Sequence, residues 1–141
     1  MLGSIQSTAA AFSALLAGAA TGLAWAIAVL SPNCSFDRLD YSRADGHVRQ
    51  LLRDGSGLIS GLLLAAAALG VLGGAYGAGI LAVISAGGFF TNRWTLAPRK
   101  KSEGAPGLRQ RKKSQRIVAV SLSLLFAAVS GIAAVLAVLR I

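Results

Sequence analysis

The sequence predicts an all-α integral membrane protein, a bundle of three transmembrane helices with a polybasic cytoplasmic loop. Three observations point to that class. Of 141 residues, 55% are hydrophobic and 13% charged, with a mean hydropathy of +0.65, a balance that belongs to membrane chains. Three stretches carry no charged side chain: Met1 to Phe36, Gly55 to Asn92 and Ile117 to Leu139. Each is long enough to cross a hydrocarbon layer of about 30 Å. The formal net charge of +9 is also unevenly placed, with nine Lys or Arg against the single Glu103 in 92–116. By contrast, 31–56 sets four arginines against four aspartates.

The chain reads as a single membrane domain over 1–141. Helix 1 is expected over about 7–30, ended by Pro32, because the residue before a proline is pushed out of the α region. Trp25 lies near its end, where an indole prefers the interface. A signal peptide cleaved at Ala24-Trp25-Ala26 is the competing reading. The absence of Lys or Arg before the apolar run, and a run longer than the roughly 7–15 residues of a signal core, favour a span.

The segment 31–56 is expected to be an outer loop. Asn33-Cys34-Ser35 matches a glycosylation acceptor pattern, although Asn33 lies close to the helix end. A short helix is expected from Arg43 to Arg53, with Ser42 and Asp45 as a capping box and Gly55 as its stop. Asp45 and Arg49 form an i,i+4 pair on it, and Val48, Leu51 and Leu52 make its apolar edge. His47, the one histidine, reads as a solvated loop residue. Cys34, the one cysteine, has no partner in the chain.

Helix 2 is expected over about 57–90 as one span. At about 1.5 Å per residue it would be about 51 Å long, too short for two full crossings. Phe89, Phe90 and Trp94 then form an aromatic girdle ahead of the cytoplasmic basic loop at 91–116. Helix 3 occupies about 117–139. Lys and Arg counts put 92–116 in the cytoplasm, so three spans leave the N-terminus cytoplasmic and the C-terminus outside. An endoplasmic reticulum or other endomembrane fits this pattern, as does a bacterial inner membrane.

Small residues recur every four positions: Ala10, Ala14, Gly18, Gly22 and Ala26; Ala66, Gly70, Gly74, Ala78, Ala82 and Ala86, with Gly73 and Gly77 beside them; and Ala119, Ser123, Ala127 and Gly131. Such stripes let backbones approach closely and favour right-handed crossings near −40°. Helix packing is therefore assigned to Gly18, Gly22, Gly70, Gly73, Gly74, Gly77 and Gly131.

In the basic loop, Arg99-Lys100-Lys101-Ser102 recurs as Arg111-Lys112-Lys113-Ser114. Together with Arg109 these cations suit anionic head groups or an acidic partner. Ser102 and Ser114 sit where basic-directed kinases phosphorylate, and Leu108-Arg109-Gln110-Arg111 resembles an arginine-based retrieval signal.

The spans hold no Asp, Glu, Lys, Arg or His, the groups that mark proton relays, ion sites and intramembrane catalysis. No catalytic, cofactor or metal residues are assigned, and no nucleic-acid partner is expected. The expected function is non-enzymatic: an accessory or scaffold subunit that packs on partner membrane helices or on itself. A small holin-like, membrane-permeabilising protein is the alternative.

Overall fold

The computed structural model describes residues 2–96 and 108–141. Helix α1 (Leu2–Trp25) passes through a π-helical turn (Ala26–Leu30) into α2 (Ser31–Arg38), followed by α3 (Tyr41–Leu72), α4 (Tyr76–Thr95) and α5 (Leu108–Leu139). Three stretches are long and apolar enough to cross a membrane: Gly3–Arg38, Arg43–Leu72 and Ser114–Leu139. Alongside them α4 forms a fourth leg.

The expected single helix over 57–90 is two helices. Leu72 ends α3, and Gly73-Gly74-Ala75 turns the chain back. The turn is a Schellman motif: the N–H of Gly74 donates to the carbonyl of Val71 at 3.1 Å, and that of Ala75 to Gly70 at 2.8 Å. Gly74 has φ +78°, the left-handed conformation that glycine adopts without steric cost. The turn divides the uncharged run between two helices, of which α3 is among the stretches long and apolar enough to cross a membrane and α4 is not. The uncharged part of α3, from Gly55, rises about 27 Å, and that of α4, to Asn92, about 26 Å. Arginines at the helix ends can extend such legs by reaching toward water.

The other boundaries also move. Helix 1 runs past Pro32, which occupies the first turn of α2, where its missing N–H is harmless. The preceding π turn, closed by the N–H of Ser31 on the carbonyl of Ala26, inserts an extra residue ahead of the proline. The expected outer loop 31–56 is almost all helix. α3 starts after Asp40, which is its N-cap, so Ser42 does not cap it. Gly46 and Gly55 sit inside α3 with helical neighbours and stop nothing. The basic loop shrinks because α4 extends to Thr95 and α5 begins at Leu108.

The four long helices run antiparallel in sequence order. α1 packs on α3 and α5, and α4 packs on the same two, so the contacts close a ring. Ser13 on α1 donates to the carbonyl of Ala66 at 2.7 Å, while Ile27 lies against Gly55. Ser60 reaches from α3 to the carbonyl of Ala86 on α4 at 3.0 Å. From α4, Ser85 reaches Phe126 at 3.1 Å. Thr21 and Ser130 join α1 to α5 at 2.8 Å. Each hydroxyl thus ties one helix to the next where lipid would offer no partner.

Most of the interior is small residues, with Val48, Leu52, Ile59, Leu63 and Phe89 the large apolar side chains fully buried among them. The buried face of α1 is Ala10, Ser13, Ala17, Ala20, Ala24 and Ala28. That of α4 is Ala78, Gly79, Ala82, Ser85, Ala86, Phe89 and Asn92, flanked by the buried Ala75 and Leu96; among these, Ala75, Ala78, Ala82, Ser85, Phe89, Asn92 and Leu96 alternate steps of three and four. This spacing averages 3.5 residues, the period associated with left-handed bundles, whereas the four-residue stripes carry the expectation of right-handed crossings. The four-residue stripes do not hold one face over their length, because they drift around a 3.6-residue helix. Gly18 and Gly22 accordingly point outward, with nothing within 4 Å of a built Cβ.

The large apolar side chains face out instead, among them Phe12, Leu15, Leu64, Ile80, Ile84, Leu125 and Ile132, each more than half exposed. Phe89 departs from the expected girdle and is buried in the main core cluster with Ile59 and Leu63. Phe90 and Trp94 remain exposed, with ring centroids 6.3 Å apart.

Candidate functional site: the charged end of the bundle

One end of the bundle carries the 73–75 turn and both chain termini. There the N–H of Ala78 donates to the carbonyl of Ile141 at 3.2 Å, and Ala10 lies against Gly73. The expected placement of the two termini at opposite ends therefore does not hold for this fold. The other end gathers α2, the start of α3, the end of α4 and the start of α5.

Segments expected on opposite sides of a membrane meet at that second end. Arg116 of α5 donates from Nη1 to Oδ1 of Asp45 on α3 at 2.9 Å, and both side chains are mostly buried. Asp45 therefore serves α5, not Arg49, whose Nη2 reaches Oε1 of Gln115 at 3.3 Å. The Arg116 guanidinium also stands over the Phe36 ring, 4.8 Å from its centroid, and 6.0 Å from that of Tyr41. Phe36 and Tyr41 pack on one another with centroids 5.5 Å apart. Arg116 thus joins α2, α3 and α5 through an ion pair and two aromatic faces.

Below this joint, Val48, Leu52, Leu96 and Ala119 form a small apolar cluster, with Phe36, Ile27 and Val120 packed on it. Asn92 lies beneath, wholly buried. Its Nδ2 donates to the Ala119 carbonyl at 3.2 Å and to Oγ of Ser123 at 2.8 Å. No group among the described residues pairs with its Oδ1.

A cleft of about 250 Å³ opens between the α1–α2 junction and α5, lined by Ala28, Val29, Pro32, Asn33, Phe36, Arg116, Val120 and Leu124. Its α5 wall is one helix face, residues 116, 120 and 124, polar at one end and apolar along the rest. The opposite wall follows the same order, from Phe36 and the exposed Asn33 to Val29 and the buried Ala28.

The assigned packing glycines divide among several environments. Gly70 sits close to Ser13, Ala75 and Gly79, and Gly73 would put a Cβ 2.7 Å from the Ala10 backbone nitrogen. Gly77 faces the backbone of Ile141, and Gly131 meets Thr21 at ordinary contact distance. Gly74 belongs to the turn. Gly88 was not among the assignments, yet a Cβ there would run into the Phe126 ring.

Arg99, Lys100, Lys101 and Ser102 lie outside the described residues. The backbone of Arg109, Arg111, Lys112 and Lys113 is helical, and Ser114 is exposed on α5. His47 and Cys34 are exposed. The described residues hold no group of three or more metal-ligating side chains. The pairing of Asp45 with Arg116 and the cleft lined by Asn33 were not assigned from the sequence, where 71 residues separate the two charges. Comparison with protein-family models, with curated proteins and with solved structures gives no match.

Proposed function

We propose that the chain is a non-enzymatic, multi-pass membrane subunit that crosses the bilayer four times and presents a basic end to anionic lipid or an acidic partner. The observation that carries this reading is the inverted distribution of side chains. Alanine and serine make up most of the interior, with Val48, Leu52, Ile59, Leu63 and Phe89 the large apolar side chains buried among them, while most of the other large apolar side chains face outward around the ring. In water that surface would drive aggregation, whereas in lipid it costs nothing and small residues make the helix contacts.

Charge supports the orientation. Every acidic residue and every Lys or Arg except Arg140 belongs to the charged end or to the segment that connects α4 to α5 there. Thirteen basic and five acidic residues give that end +8. The positive-inside rule then favours a cytoplasmic charged end and external termini.

The small-residue faces are largely used within the bundle, so a partner would meet the bulky outer surface or the basic end. Mild-detergent purification followed by mass spectrometry of co-purifying chains tests the subunit reading. A partner at fixed stoichiometry is expected, and purified chain in liposomes should retain an entrapped dye. Dye release that rises with protein density, with no partner, would favour the pore-forming alternative.

A further inference from the structure

Resting on the membrane reading above, we infer that the cleft between the α1–α2 junction and α5 binds one anionic phospholipid, its phosphate at Arg116 and one acyl chain along Val29, Val120 and Leu124. The depth of each wall residue carries the argument. Arg116 is the last charged residue before the uncharged run Ile117 to Leu139, so it stands at the boundary between water and hydrocarbon. Val120 and Leu124 follow one and two turns deeper on the same face. A ligand that fills the cleft therefore needs a polar head at one level and an apolar tail below it.

The head must be anionic. Asp45 takes one N–H of the Arg116 guanidinium, which carries five in a fixed fork suited to phosphate oxygens. Asn33, exposed on the opposite wall, adds an amide donor. In the sequence, Arg109, Arg111, Lys112 and Lys113 precede Arg116, a cationic run of the kind that draws anionic lipid to a membrane surface. At about 250 Å³ the cleft is smaller than the roughly 300–1,000 Å³ of enclosed ligand sites. It suits a phosphate and part of one chain, with the rest of the lipid in the bilayer.

The π turn supplies a second, independent indication. Its extra residue sets the register of α2, bringing Pro32, Asn33 and Phe36 into the wall that Ala28 and Val29 begin. Such turns recur at functional sites because an extra residue re-aims side chains at little cost to the helix.

Native mass spectrometry of the full chain in neutral detergent, titrated with phosphatidylglycerol or phosphatidylcholine, tests the inference. One phosphatidylglycerol per chain should bind saturably, with phosphatidylcholine weaker by about tenfold, the order of one charge-assisted contact. Val120→Trp fills the cleft and leaves the ion pair in place, so it should abolish the saturable adduct. Arg116→Gln should remove the preference for phosphatidylglycerol. Asp45→Asn breaks the same ion pair but frees the guanidinium, and should keep or tighten binding; a loss equal to that of Arg116→Gln would mean that Arg116 acts only through the fold. Equal binding of both lipids, or survival of the adduct in Val120→Trp, would overturn the site. Competition by inorganic phosphate alone at matching concentration would assign the anion site to free phosphate and overturn the lipid. Failure of the chain to reconstitute into liposomes would instead strike the membrane reading, which the cleft variants leave untouched.

Discussion

Gly18, Gly22, Gly73 and Gly74 are the same residue in apolar stretches of similar composition, yet the fold makes opposite demands on them, the first two inside a helix and the last two in a turn. Gly74 alone among the described glycines has positive φ, and nothing lies near its missing Cβ. Gly74→Ala should therefore cost about 1 kcal/mol, all of it backbone strain. Gly73→Ala should cost more, because the Ala10 backbone must move. Gly18→Ala and Gly22→Ala meet open space and should stabilise the bundle by about 0.5–1 kcal/mol through helix propensity. Unfolding in mixed detergent, followed by circular dichroism, ranks the four. A loss of stability in Gly18→Ala equal to that in Gly73→Ala would contradict the assigned faces. Glycine richness was plain in the sequence, but the role of each glycine was not, because it depends on helix phase and backbone angle. The Gly73-Gly74 pair was the available signal for a C-terminal cap, and the four-residue stripe concealed it.

At the scale of helices, adjacent residues of α4 test the packing. Gly88 lies under the Phe126 ring, whereas a Cβ at Gly87 meets nothing within 4 Å. Gly88→Leu should force α4 and α5 apart and cost about 1–3 kcal/mol or more, while Gly87→Leu should be tolerated. Equal effects on thermal stability in detergent would mean that α4 is rotated from the face described. The helical character of every long apolar run was legible in the sequence, since uncharged runs of this length have few alternatives in lipid. The ends were not. Proline and glycine were read as stops at Pro32 and Gly55, but Pro32 occupies a first turn and Gly55 packs on Ile27. Both tolerate a continuing helix. Phe89, assigned to an interface from its neighbours, is a core residue because it keeps the three-four spacing of Ser85 and Asn92.

For the whole molecule, the all-helical class with helices long and apolar enough to cross a membrane was legible, and the arrangement of those helices was not. A chain with one hairpin more than expected folds the second uncharged run back on itself. That change moves 31–56 to the same end as the basic tract and brings both termini together at the other. The ion pair between Asp45 and Arg116 is invisible in sequence because no local spacing links residues on α3 and α5. It follows only once the turn at 73–75 is in place. The thirteen basic and five acidic residues at one end then read as a single orientation signal, where three spans had put the neutral 31–56 on the side opposite the +8 of 92–116.

The most direct test is the sidedness of two positions in reconstituted liposomes. Native Cys34, exposed on α2, and a single cysteine from Ser114→Cys in a Cys34→Ser chain, exposed on α5, are each treated with membrane-impermeant maleimide before and after detergent permeabilisation. With the charged end shared, the two positions should show the same protected fraction in any preparation, whatever the fraction of chains inserted each way. In intact cells both should be shielded together, and a cysteine at Ser4 should label. Opposite protection of Cys34 and of the cysteine at 114 would restore three spans and contradict the four-helix bundle.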